Sequence, residues 1–151
     1  MNDPETMTPK PPKNPTPEEM FRICKQCHGT CCTYVAIEID CPTTLEDFEN
    51  IRWYCAHQKV WVFKDAGSWY VAFDAVCEKL QSDFSCGIYP NRPKVCRDHK
   101  FGECDYYLRG AFEVELRSLD EVDAYLRKRF PSHFRKKRLA DRQQVKAEAA
   151  G

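Results

Sequence analysis

The chain lacks a charge of one sign. Its 23 Lys and Arg residues are matched by 23 Asp and Glu, so the formal net charge at pH 7 is zero. That balance argues against a protein held to nucleic acid mainly by phosphate contacts. Long apolar runs are also missing. Nothing approaches the roughly 18 consecutive apolar residues that a membrane-spanning helix needs. Met1 to Glu19 has no apolar stretch of the kind a secretory leader carries, so export is not expected. Aliphatic and Phe side chains are scarce. Leu, Ile, Val and Phe make up about a fifth of the 151 residues, near the lower edge for a globular chain. No Gly-rich cofactor loop follows any predicted strand.

What the chain does have is cysteine, ten of them in 151 residues. Small folds short of core are commonly stapled by disulfides or metals. Disulfides need an oxidising compartment, and nothing in the sequence exports the chain. The expected location is therefore the cytoplasm, where thiols serve first as metal ligands, then as redox groups, then as small buried residues.

The length fits one domain. Residues 1–17 hold six of the ten prolines and predict a disordered or extended tail. Thr16, Pro17 and Glu19 form a capping box that opens a helix carrying Met20, Phe21 and Ile23 into Cys24 and Cys27. Gly29 breaks it. Residues 33–39 predict a strand with Val35, Ile37 and Ile39 on one face. Thr43 with Glu46 opens a second helix to about His57, with Leu45, Phe48, Ile51 and Tyr54 as its buried stripe. Lys59–Phe63 and Ser68–Phe73 are strands around an Asp65-Ala66-Gly67 turn. Phe112, Val114 and Leu116 alternate as another strand. Ser118 with Glu121 opens a third helix, which Pro131 ends. Residues 132–151 predict a charged, solvated helix or tail. The expected fold is a small single-domain α+β protein spanning 18–131, with three helices and a short antiparallel sheet. Trp53, Trp61, Trp69, Tyr70 and Phe73 are expected in the core or on a sheet face.

Val76 to Gly110 shows little periodicity and holds Cys77, Cys86, Cys96 and Cys104. About 35 irregular residues do not persist as a bare loop in a compact domain, so a metal is expected to clamp them. Cys24, Cys27, Cys31 and Cys32 lie within nine residues. Two cysteines separated by two residues can turn both sulfurs onto one ion. Gly29 lets the backbone bend around such a centre. Neighbouring side chains usually diverge, so the Cys31-Cys32 pair suits two metals, or two irons of one cluster. Cys41 and Cys55 read as packing residues. His28 and His99 are the imidazoles nearest the thiols. Pro93 is placed to aim Arg92 at an anionic centre.

Cys24-x-x-Cys27-x-Gly29-x-Cys31-Cys32, then Cys77-x-x-Leu80, then Cys86-x-Ile88-Tyr89-x-x-Arg92-Pro93-x-x-Cys96-Arg97, resembles the YkgJ-type cysteine-cluster proteins. These form the CxxCxxCC zinc- or iron-chelating family. The resemblance covers about residues 20–110. It implies a metal-binding domain with Cys24, Cys27, Cys31, Cys32, Cys77, Cys86 and Cys96 as ligands. Some relatives carry a further cysteine after the Cys-Arg pair, which Cys104 matches. The phenylalanine often found near that pair is displaced here, since Asp98 and His99 follow Arg97 and Phe101 lies further on.

Four function classes are weighed against these residues. A structural or storage protein would hold one or two zinc ions in closed thiolate sites. An iron–sulfur protein would use four of the cysteines for a cluster and serve redox or electron transfer. A thiol enzyme would need an adjacent base, which only His28 beside Cys27 suggests. No further catalytic constellation is present, so binding is expected rather than catalysis. An interaction module would use the Pro-rich tail or the Arg135–Arg138 run to contact a protein partner. That basic run reads first as a solvated helix face, and nucleic acid is not an expected partner.

Overall fold

The computed structural model describes residues 10–104, 106–107 and 112–150. Within them four strands form one antiparallel sheet in the order β1-β3-β2-β4. β1 is Tyr34–Ile39, β2 Val60–Asp65, β3 Ser68–Asp74 and β4 Val114–Leu116. β2 and β3 are joined by Ala66 and Gly67, both at positive φ (46° and 87°). Two such residues form the tight primed turn whose twist matches the flanking strands. The hairpin pairs Asp65 with Ser68, so the loop has two residues rather than the three expected.

Among the described residues there are five α-helices, where three were expected in the domain and a helix or tail after it. α1 is Pro17–Gln26, α2 Leu45–Cys55, α3 Lys94–Asp98, α4 Leu119–Arg129 and α5 Pro131–Ala149. α5 falls on the segment expected as a charged helix or tail, whereas α3 was not expected, and both start at a proline. Pro93 caps α3, and Pro131 ends α4 while occupying the first turn of α5. Proline lacks only an N–H that a first helical turn leaves unpaired, so one residue can stop one helix and start the next. Of the expected Pro-rich tail, residues 1–9 lie outside the described residues, and residues 10–16 form no helix or strand.

The capping boxes appear with two adjustments. Thr16 and Glu19 make both reciprocal bonds at 3.2 and 2.9 Å. For α2 the pair is one residue later than expected, Thr44 with Asp47. For α4, Ser118 accepts from the Glu121 N–H, but the Glu121 carboxylate takes the Arg117 N–H instead. Each arrangement satisfies N–H groups that the helix leaves unpaired at its start.

α2 and α4 cover one face of the sheet. Phe48, Ile51 and Cys55 pack on Val62, Trp69, Val71 and Leu116, with Val122 and Leu126 closing the core. Cys55 is buried as expected, and its thiol donates to the Leu116 carbonyl at 3.3 Å. The opposite face gathers Trp61, Phe63 and Ala72 with Tyr34, Tyr70 and Phe112. Two expectations fail on exposure. Trp53 is 62 % exposed, because it projects from the side of α2 opposite Phe48 and Ile51. Val35 and Ile37 are 54 % and 56 % exposed, because β1 lies at the sheet edge. Cys41, expected to pack, is exposed as well. Among the described residues no helix is long and apolar enough to cross a membrane.

Candidate metal centre

The end of the sheet from which β1 starts and at which β3 finishes organises the cysteines. α1 carries Cys24 in its last turn and Cys27 as its C-cap, with the Cys27 thiol donating to the Cys24 carbonyl at 3.2 Å. His28 and Gly29 then adopt left-handed conformations in succession (φ 57° and 63°). This double reversal leads into a 3₁₀ turn, Thr30–Cys32, which opens onto β1. Beyond the Tyr34–Asp74 pair the two chains stay joined. The Ala75 N–H donates to the Thr33 carbonyl at 2.9 Å, and the Cys77 N–H to the Cys32 carbonyl at 2.8 Å. The sheet thus sets Cys77 beside Cys32.

The segment after Cys77 folds back on this turn. Leu80 and Cys86 form an isolated antiparallel bridge, reinforced by the Gly87 N–H to the Lys79 carbonyl at 2.8 Å. A Cβ on Gly29 would lie 2.8 Å from Leu80 Cδ1, so the glycine is needed for contact as well as for φ. The Phe84 ring lies 4.6 Å from His28. The motif glycine and the motif leucine are therefore packing partners that lock the first cluster onto the second segment.

Cys96 sits in α3. Arg92 is turned inward on this segment, donating to the Tyr89 carbonyl at 3.1 Å and the Cys96 carbonyl at 3.3 Å. Its guanidinium lies 3.9 Å above the Tyr89 ring. Arg97 donates to the Arg92 carbonyl at 2.5 Å. Both arginines thus brace the loop through backbone acceptors. Arg92 also favours the thiolate of Cys24 by its charge. Lys25 and Lys94, read as surface charges, pair with Asp83 and Asp98.

The thiols feel one another. Burial, then the charges of Cys27, Cys104 and Cys32, raise the Cys24 thiol, with Arg92 opposing. Burial and then Cys32 push Cys31 up to about 12, with Cys27 and Cys24 adding to it. A Cys31-to-Cys32 hydrogen bond adds to that rise. Cys32 is raised by burial, against that bond, and by the charges of Cys77, Cys86 and Cys96. Cys32 is therefore where the two cysteine sets meet. Cys104 behaves differently. Burial would raise it, but a hydrogen bond from His99 and the backbone N–H groups of Tyr107, Tyr106 and Gly102 together lower it. His99 stands out in the sequence by its nearness to the thiols, whereas Tyr107 carries no sequence signal for this role, since it depends on how the chain turns after α3.

Eight of the ten cysteines thus share one region, and Cys41 and Cys55 lie apart from it. Among the described residues, however, no group of three or more His, Cys, Asp or Glu side chains converges closely enough to hold a metal ion. The expected metal clamp on Val76–Gly110 is accordingly not seen. Hydrogen bonds, the Gly29–Leu80 contact and α3 order this segment instead. Residues 105 and 108–111 lie outside the described residues. The donor chemistry suits a thiophilic ion, because thiolates select zinc, copper(I) and iron–sulfur centres.

No curated protein and no solved structure matches the chain. The model of the CxxCxxCC family, described as "Putative zinc- or iron-chelating domain", matches residues 23–121. That span takes in both cysteine segments, the sheet between them and the first turn of α4, and on it the chain belongs to the CxxCxxCC family.

Proposed function

We propose that the protein chelates zinc or iron through Cys24, Cys27, Cys31, Cys32, Cys77, Cys86, Cys96 and Cys104, in one or two thiolate-rich centres. The observation that carries this reading is the backbone pairing that joins both cysteine sets, with the Cys77 N–H donating to the Cys32 carbonyl at 2.8 Å, inside the span matched by the chelating-domain family. The first set comes from the end of α1 and the 3₁₀ turn, the second from Cys77 and the loop beyond it. Eight thiolates suffice for two four-coordinate zinc sites, or fewer with a shared sulfur. Closed thiolate sites leave no coordination position for substrate, so the role is structural or storage. Because the donors are gathered but not convergent, the ion would draw the last distance closed, and binding free energy would become ordering free energy. A reducing compartment such as the cytoplasm suits such a protein, because it keeps thiols available as ligands.

The test uses protein purified without oxygen and without an affinity metal. The visible spectrum, metal content and acid-labile sulfide are measured on one sample. A colourless protein with one or two zincs per chain is expected. Brown protein with iron and sulfide would move the assignment to an iron–sulfur centre with a redox role. Cys27→Ser and Cys86→Ser should each lower metal stoichiometry, whereas Cys55→Ser should leave it unchanged. Equal behaviour of Cys55 and Cys86 would sink the ligand set.

A further inference from the structure

The zero net charge of the chain conceals a segregation. α5 carries six basic residues against two acidic ones, and the other residues carry 17 against 21. Four of the six, Arg135, Arg138, Arg142 and Lys146, are spaced by three, four and four. At 3.6 residues per turn that spacing places them on one stripe, about 16 Å long. Every residue from Arg135 to Ala150 is exposed, although Arg135 and Arg138 also border an open cleft toward Glu46, Glu49 and Asp123. None of the ion pairs formed among the described residues involves α5.

We propose that this stripe of α5 docks the sugar–phosphate backbone of a nucleic acid. Charge complementarity selects the occupant. The stripe is about as long as five phosphates of one duplex strand, and three of its four residues are Arg, whose planar fork suits phosphate. A lipid surface fits less well. Leu139 and Val145 are the only large apolar residues beyond Phe134, and they do not form the apolar face that an interfacial helix inserts. A second copy also fits less well, because several of the acidic residues on the folded core are already employed. Glu49 and Asp123 hold Arg52, Glu113 holds Lys64, and Glu115 holds Arg117. No aromatic side chain lies on α5 beyond Phe134, so bases are not stacked and sequence is not read. Docking does not depend on the metal reading, since α5 lies outside the matched span.

The experiment is fluorescence anisotropy on the full chain, with a labelled 20-nucleotide RNA and a 20-base-pair DNA duplex as probes. With four phosphate contacts, raising salt from 50 to 200 mM should weaken binding about 50-fold for the single strand and about 150-fold for the duplex. The double variant R138Q/R142Q should lose about half of the logarithmic salt slope and at least about tenfold in affinity at 50 mM salt. K136Q/K137Q removes the same charge from outside the stripe and should stay near the parent. Glutamine keeps helix propensity, and far-ultraviolet circular dichroism checks that both variants retain α5. The proposal fails if neither probe binds at 50 mM salt, or if both double variants behave alike. It also fails if polyglutamate, or vesicles rich in anionic lipid, displace the probes at equal charge concentration.

Discussion

Gly29 shows how much one residue can carry. It must adopt a φ of 63° and must also let Leu80 approach to a distance no Cβ permits. Gly29→Ala should therefore destabilise the metal-free protein by about 1–3 kcal/mol, measured by denaturant unfolding. Leu80→Ala in the same chain should recover only the steric part, leaving the backbone strain. If Gly29→Ala alone unfolds like the parent, the packing role assigned to the motif glycine is wrong. Cys55 makes a second prediction at this scale. Burial pushes its thiol up to about 11 from an ordinary value near 9. The folded state thus holds this proton more tightly than the unfolded state. Stability is intact below about pH 9 and falls as pH rises from there toward 11. The loss should reach about 2–3 kcal/mol by pH 11, and Cys55→Ala should flatten that part of the profile relative to the parent.

At the scale of elements, the helix starts differ in ways that mutation can resolve. Thr44 and Asp47 form a full reciprocal box, and Asp47 additionally accepts from Thr43. These bonds hold the Asp47 carboxyl down to about 2. Thr44→Ala should cost about 1 kcal/mol of global stability in chemical unfolding, because α2 carries Phe48 and Ile51 into the core. The depressed carboxyl contributes stability above its ordinary range near pH 4, and that contribution fades as pH falls toward 2. The Ser118–Glu121 pair illustrates the limit of motif reading. Its spacing is correct, yet the glutamate serves Arg117, because the strand entering α4 presents a different N–H. The one-residue shift from Thr43 to Thr44 has a similar origin. Both threonines precede an acidic residue by three, so spacing by itself does not select between them.

For the whole molecule, the sheet with α2 and α4 is a self-sufficient core, while the cysteine segment is held by short local bonds. Adding zinc to the metal-free protein should therefore raise hydrogen-exchange protection around Cys24–Cys32 and Cys77–Cys104. Amides of α2 and the β2–β3 hairpin should change little. Uniform protection, or none at the cysteine segments, would contradict the proposed ordering by metal.

Much of this architecture was legible because it rests on local rules. Proline before acidic residues starts α1, apolar spacing of three and four draws α2 and α4, and Ala66-Gly67 closes a hairpin. Those signals need only near neighbours along the chain. The cysteine spacing was legible for the same reason, as was the burial of Cys55 within an apolar stripe. The tertiary structure decided everything that depends on coverage. Val35 and Ile37 alternate like core residues but lie on an edge strand that no helix covers. Trp53 is apolar but projects away from the sheet. Cys41 is a cysteine like Cys32, yet it follows β1 at the far end from the cluster. Cys32 meets Cys77, 45 positions later, only because β1 pairs with β3 and the pairing runs past Tyr34. Distance along the chain says nothing about such meetings. They follow from which edges pair and which faces are covered, and the whole fold settles that at once.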